Sequence, residues 1–161
     1  MALTTQQWTH RERHSQTDGQ ALVELALLLP MLLLLVMGIV ELGWILHGYL
    51  VVTAAAREGV RLAALQAPDA EIESRIESAA ATVFAADKVI RIDSPAQFDG
   101  GTPAAGELWF NLLTADGDAE RESGEPVDLR LKGAIPLLTP LLKTLLPDPF
   151  ILQATASMRV E

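Results

Sequence analysis

Two glutamates beside and within an apolar stretch are the residues whose chemistry most needs an explanation. Glu24 immediately precedes the stretch from Leu25 to Leu46, and Glu41 lies inside it. An ionised carboxylate at the centre of a membrane costs about 2.5–3.5 kcal/mol on insertion scales. We therefore expect each glutamate to have a partner or to lie at a polar interface.

Glu41 has two possible environments on the sequence alone. Its carboxylate could reach the outer headgroup layer beside Trp44 and Tyr49, because aromatic residues favour that interface. Alternatively, it could contact another subunit and fix the register between helices. The sequence leaves both open.

Residue types that support catalysis are scarce. The only histidines are His10, His14 and His47, which lie near the N-terminus or at the membrane boundary, and the chain has no cysteine. No histidine-based triad, zinc site or thiol nucleophile can therefore form in the C-terminal part. We expect no enzymatic activity, no cofactor and no catalytic or metal-binding residues.

One acidic segment invites comparison with a calcium site. Asp116, Asp118 and Glu120 alternate as in an EF-hand loop. Arg121, however, stands where that loop needs glycine, and Val127 stands where it needs a bidentate glutamate. We expect a solvated acidic loop.

Length and charge limit the remaining classes. The 161 residues allow one ordinary domain plus an anchor. The net charge of -9 leaves no basic surface to neutralise a phosphate backbone, so we expect no nucleic acid partner.

The apolar stretch predicts a membrane-spanning helix. At ~1.5 Å per residue, Leu25 to Leu46 covers roughly 33 Å, which is close to the hydrocarbon thickness of a bilayer. No charged or amide side chain interrupts it before Glu41. Small and apolar residues continue at helical spacing toward Leu62, so we expect one long helix that starts in lipid and emerges as a stalk. We expect a kink at Pro30, because proline lacks an N–H.

The segment from Gly19 to Ala64 resembles the TadE-like family of tight-adherence (Flp) pilus biogenesis. The resemblance rests on a glycine followed five residues later by a glutamate, an apolar run with a proline, a second glutamate after Gly-Ile-Val, and the segment AREGVR. The resemblance implies a bacterial inner-membrane protein with the leader in the cytoplasm and the C-terminal domain periplasmic or extracellular. It also implies other pilin-like subunits and the pilus assembly machinery as partners.

The first part of this pattern is similar to the cleavage motif of prepilins. That similarity implies that a prepilin-type peptidase cuts after Gly19, so that the mature chain begins at Gln20. The new ammonium of one subunit could then neutralise Glu24 of its neighbour in a low-dielectric helix bundle. Leu25 stands where such motifs usually carry Phe or Tyr, and Asp18 where a basic residue is common.

The resemblance implies a minor pilin or pseudopilin-like component that acts by helix assembly. The alternative is an unprocessed, single-pass membrane-anchored binding or sensor module. The two differ in the fate of the leader, residues 1–19. In AREGVR, Glu58 and Arg61 can pair three residues apart, and Arg57 shares a face with Arg61, so we expect either a solvated stalk face or a subunit contact.

The remainder predicts an α+β domain in residues 67–161, after a transmembrane and stalk helix in 20–66. Asp69 can cap a second, amphipathic helix. A short helix with Thr139 as its N-cap is expected between the last two strands. The expected strands form a small antiparallel, pilin-like sheet and cover residues 88–93, 107–113, 126–133 and 150–161.

Overall fold

The computed structural model describes residues 12–114, 121–140 and 142–161, with side chains from residue 19 onward. The chain divides into two compact units, Met1–Val40 and Glu41–Glu161. Helix α1, Glu12–Ala64, contributes to both. Residues 1–11 of the expected leader and the acidic segment 115–120 lie outside the described residues.

The described part of the first unit is helical and exposes its apolar side chains. Every large apolar residue from Leu22 to Val40 is 46–75% exposed. The stretch Gly19–Ala64 is long and apolar enough to cross a membrane. Exposure of such a surface to water is unfavourable, so the segment fits a single-pass membrane anchor. The helix continues through Pro30, and the kink there stays a prediction.

In its described residues, the second unit combines the C-terminal part of α1 with two further α-helices and a four-stranded sheet. Helix α2 is Asp69–Ala80 and helix α3 is Pro95–Gly100. The strands are β1 Val89–Arg91, β2 Leu108–Thr114, β3 Pro126–Ile135 and β4 Phe150–Arg159. The predicted α+β class is confirmed.

The sheet is mixed, whereas the sequence predicted an antiparallel one. The strand order is β1-β2-β3-β4, in which β1 pairs with β2 in parallel and the other two pairs are antiparallel. A parallel pair needs a crossover connection, and the segment that contains α3 supplies it. The position of α3 between the first two strands thus explains the departure.

Small residues of α1 allow the helix to approach the sheet closely. A Cβ atom added at Gly48 would overlap Cδ1 of Ile135, and one added at Gly59 would overlap Cδ2 of Leu129, both in β3. Ala55 and Ala63, on the same face, are fully buried. This stripe of small residues makes the outer half of α1 part of the domain core, so the compact unit begins at Glu41.

Two predicted caps differ in the structure. Asp69 is the first residue of α2, and Pro68 occupies the cap position without a side-chain hydrogen bond. The short helix expected after Thr139 is a single 3-10 turn, Leu142–Thr144. In both cases the polar side chain is engaged elsewhere: Asp69 binds arginines, and Thr139 binds a glutamate.

Candidate functional site: the apolar helix and its attachment

Glu41 is the most deeply buried charged side chain among the described residues. It is fully buried. One carboxylate oxygen accepts from the N–H of Leu138 at 2.8 Å. The other accepts from the N–H and the hydroxyl of Thr139, at 3.0 and 2.9 Å. Three donors therefore satisfy the carboxylate inside the unit.

This geometry decides between the two environments predicted for Glu41 only in part. A fully buried carboxylate is surrounded by protein and does not contact headgroups directly, and the depth of Glu41 in the bilayer stays a prediction. The partner of Glu41 is instead a loop of its own chain, almost one hundred residues away in sequence. Its role in the register between subunits stays a prediction.

Glu24 has a different environment in the first unit. Its side chain is exposed and accepts a hydrogen bond from Nε2 of Gln20 at 3.0 Å. Gly19 is also exposed, and a Cβ atom added there would meet no neighbour within 4 Å. Both sides of the predicted cleavage bond are thus accessible in this unit, one helical turn before Glu24.

The AREGVR segment forms ion pairs on the helix surface. Arg61 lies 3.6 Å from a carboxylate oxygen of Glu58, as the three-residue spacing predicts. Arg75 of α2 pairs with the same oxygen at 3.3 Å. Arg57 is exposed, and no ion pair joins it to another described residue. These contacts fit the solvated stalk face, and the subunit-contact role stays a prediction.

A cluster of ion pairs that sequence reasoning missed joins α2 to the sheet. Asp69 binds Arg91 at 2.6 Å and Arg121 at 3.0 Å. The hydrogen bond from Arg91 to Asp69 is the main reason why the pKa of the guanidinium rises above its usual value, and Asp93 adds to it. Arg121 also donates to the carbonyl of Ala67 at 2.8 Å, so the cluster ties down the turn that follows α1.

Lys132 forms a second internal attachment that the sequence did not indicate. It is 5% exposed, although in β3 its side chain alternates with those of the buried Leu129 and Leu131 and therefore lies on the other face of the sheet. Its ammonium donates to the carbonyls of Phe98 at 2.6 Å and Gly101 at 3.0 Å. Lys132 therefore holds α3 against the sheet by binding carbonyls at its C-terminal end.

The loop after β3 is held at its base by Asp148. The N–H of Leu137 donates to this carboxylate at 3.1 Å, and the ammonium of Lys143 lies 3.1 Å from its other oxygen. The backbone hydrogen bond is the main cause that lowers the pKa of Asp148, and Lys143 contributes to it. Together with Glu41, these contacts order the loop.

Within the part of the chain that the structure describes, no group of three or more His, Asp or Glu side chains is placed to hold a metal ion. What distinguishes the chain is a helix that is exposed and apolar in one unit and integrated into a small domain in the other.

Comparison with known protein families gives one match, at this helix. Residues 19–61 match the family described as TadE-like protein. This segment is similar to the TadE-like family. The matched residues include the predicted cleavage bond, both glutamates and the AREGVR segment. Comparisons with curated proteins and with solved structures gave no match.

Proposed function

We propose that the chain is a minor pilin or pseudopilin-like component of tight-adherence pilus biogenesis, or of a related secretion apparatus. It acts through helix-mediated assembly and performs no catalytic step. The observation that carries this proposal is the TadE-like segment on a helix whose large apolar side chains are exposed in the described part of the first unit. We favour a minor component because major subunits of the family that the segment resembles are shorter and lack a domain like residues 53–161.

The exposed apolar helix supports a two-stage mechanism. In the bilayer, lipid covers the side chains from Leu22 to Val40, and the helix is a single-pass anchor. On assembly, other apolar helices replace the lipid. The leader lies in the cytoplasm and the second unit outside the cytoplasmic membrane.

Glu24 supplies the specificity of this exchange. A prepilin-type peptidase releases the leader after Gly19, and Gln20 then carries the N-terminal ammonium. Pairing of that ammonium with Glu24 of a neighbouring subunit is favourable where water is excluded, because the low dielectric strengthens the attraction. The exposed position of Glu24 supports this role, since its described partner is only the nearby Gln20.

Glu41 has the complementary task of keeping the second unit on the helix. Its three acceptor contacts fix the loop after β3 to α1 at the point where the compact unit begins. The domain therefore moves with the outer half of the helix. Glu24 thus acts in the contact between subunits, whereas Glu41 attaches the domain to its own helix.

Photo-crosslinking in cells that express the pilus machinery tests the proposal. A photoreactive amino acid at Leu28, which is 62% exposed, is expected to form adducts with other pilin-like subunits, identified by mass spectrometry. Glu24→Gln should remove most of these adducts. Glu71→Gln, at an exposed glutamate of α2, is the matched control and should leave them unchanged.

Two results would count against the proposal. Absence of adducts with any pilin-like subunit would contradict helix assembly. Unchanged adducts in Glu24→Gln would contradict the role of this carboxylate, while the assembly itself would stand.

A further inference from the structure

The exposed apolar side chains of the second unit are concentrated at one end. Among its described residues, eight large apolar side chains are exposed. Six of these lie either in the first turns of α1 after Glu41 or in the loop after β3, so their exposure is not scattered. The six are Leu42, Leu46, Tyr49, Leu50, Leu138 and Leu145. Clustered apolar exposure marks an interaction surface.

The loop part of this cluster is the leucine loop, residues 136–140 and 142–147. Leu138 is 54% exposed and Leu145 is 73% exposed. The loop is nevertheless ordered at its base, where Asp148 binds both the N–H of Leu137 and the ammonium of Lys143. Leu138 and Leu145 are thus exposed on a loop whose base is fixed by a hydrogen bond and an ion pair.

Glu41 fixes the level of the leucine loop along α1. It accepts from the N–H of Leu138 at 2.8 Å, and it directly follows Val40, the last residue of the first unit. Leu138 is therefore hydrogen-bonded directly to the first residue of the second unit. Ile135, at the end of β3, lies over Gly48, less than two helical turns further along.

Aromatic residues on the adjoining part of α1 mark the same level. Trp44 is half-buried and Tyr49 is 46% exposed. Tryptophan and tyrosine favour the boundary between headgroups and acyl chains. The leucine loop lies beside this part of the helix. The ammonium of Lys143 in the loop is paired with the carboxylate of Asp148, which directly follows the loop.

We propose that the leucine loop inserts Leu138 and Leu145 into the headgroup–acyl boundary of the bilayer that α1 spans. The second unit then contacts the membrane at the helix and at the loop. Two contacts restrict tilting of the domain about the helix, as for other apolar residues that anchor proteins at membrane interfaces. This inference rests on the membrane-anchored stage of the proposed function and does not depend on cleavage of the leader.

Site-directed spin labelling of the full chain tests this inference, because the protein has no cysteine to remove. Labels are placed at Leu145→Cys and, as a matched control, at Leu65→Cys. Leu65, which directly follows the end of α1, is also an exposed leucine, 49% exposed, and lies about 36 Å beyond Glu41 along the helix axis. Leu35→Cys, 61% exposed in the first unit, reports on the membrane span itself.

The labelled chains are reconstituted in phosphatidylethanolamine–phosphatidylglycerol vesicles, and collisions with oxygen and with a water-soluble nickel chelate are compared by power saturation. The ratio of oxygen to nickel accessibility at Leu145 is expected to be several-fold higher than at Leu65 and to approach that at Leu35. Lower oxygen accessibility at Leu145 in the Leu138→Ser background would further support insertion.

Three results would overturn the inference. If the oxygen-to-nickel ratio is typical of water at Leu145 but typical of the bilayer at Leu35, the helix spans the membrane and the loop does not contact it. If the ratio is typical of water at Leu35, the helix does not span the membrane, and both the anchor and the loop contact are contradicted. Dipolar broadening at Leu145 that disappears on dilution with unlabelled chain would show that a second copy covers the loop instead of lipid.

Discussion

The N–H and the hydroxyl of Thr139 both donate to the same carboxylate oxygen of Glu41, at 3.0 and 2.9 Å. The other oxygen binds the N–H of Leu138. A buried acid on the helix thereby becomes the acceptor for consecutive donors of a loop almost one hundred residues away. This contact fixes the loop after β3 to the helix, in addition to the apolar packing of α1 in the domain core.

Replacement of Glu41 should destabilise the second unit strongly. Glu41→Ala leaves two buried N–H groups and a hydroxyl without an acceptor, and we expect a loss of about 2–4 kcal/mol. Glu41→Gln should cost less, because its amide oxygen can still accept. Thermal unfolding of the full chain in detergent micelles, followed by circular dichroism, measures both. Glu58→Ala, the same change at a half-exposed glutamate of α1, should cost less than about 1 kcal/mol; equal losses would refute the special role of Glu41.

The two glycines Gly43 and Gly48 offer a matched pair on α1. A Cβ atom at Gly48 would overlap Ile135, whereas one at Gly43 would meet nothing within 4 Å. We expect Gly48→Val to destabilise the domain by about 1–3 kcal/mol, because the helix must move away from the sheet. Gly43→Val should change stability by less than about 0.5 kcal/mol. Similar unfolding midpoints for the two variants would argue against close packing of helix and sheet.

The ion pairs of Asp69 and Asp93 should contribute differently to the stability of the domain. Both carboxylates bind Arg91, but only Asp69 also binds Arg121, whose side chain is 11% exposed. Asp69→Ala should therefore cost about 1–2 kcal/mol, since it leaves a largely buried guanidinium with fewer partners. Asp93→Ala, at a carboxylate that is 82% exposed, should cost less than about 0.5 kcal/mol. Denaturation of the two variants side by side gives the comparison, and a larger effect of Asp93→Ala would contradict it.

The contacts of Asp148 make the leucine loop sensitive to acid. Its pKa in the folded state lies below its usual value, because the N–H of Leu137 and the ammonium of Lys143 favour the ionised form. The unfolded chain binds the proton more readily, so this stabilisation is complete above about pH 4 and is lost as the pH falls through the lower folded-state pKa. The difference in melting temperature between the native chain and Asp148→Asn should narrow below about pH 4. A constant difference down to about pH 2 would disprove this contribution.

Individual strands such as β3 could be predicted from the sequence, because the alternation that indicates them involves residues close together in the chain. The alternation of Val127, Leu129 and Leu131 predicted β3, and all three side chains are buried. The helix α3 was missed, since six residues that start with proline give no helical periodicity. The parallel pairing of β1 with β2 was missed for the same reason, because it follows from the connection that contains α3.

The contacts at the candidate site depend on pairs of residues that are far apart in sequence. The sequence predicted that Glu41 needs a partner, but Thr139 looked like a helix cap. Nothing in the sequence indicated that Lys132 is buried, because its burial follows from the position of α3. By contrast, Gly19 and Glu24 could be singled out because their spacing is a local motif. Tertiary contacts of polar residues were thus the part that the sequence could not predict.

The N-terminus of the mature protein tests the central claim most directly. The full chain is expressed together with a prepilin-type peptidase, extracted from the membrane, and analysed by N-terminal sequencing and intact mass. We expect Gln20 as the first residue, and we expect Gly19→Arg to keep its leader under the same conditions. A native chain that retains residues 1–19 despite the active peptidase would contradict the pilin-like account and favour an unprocessed, membrane-anchored binding or sensor module.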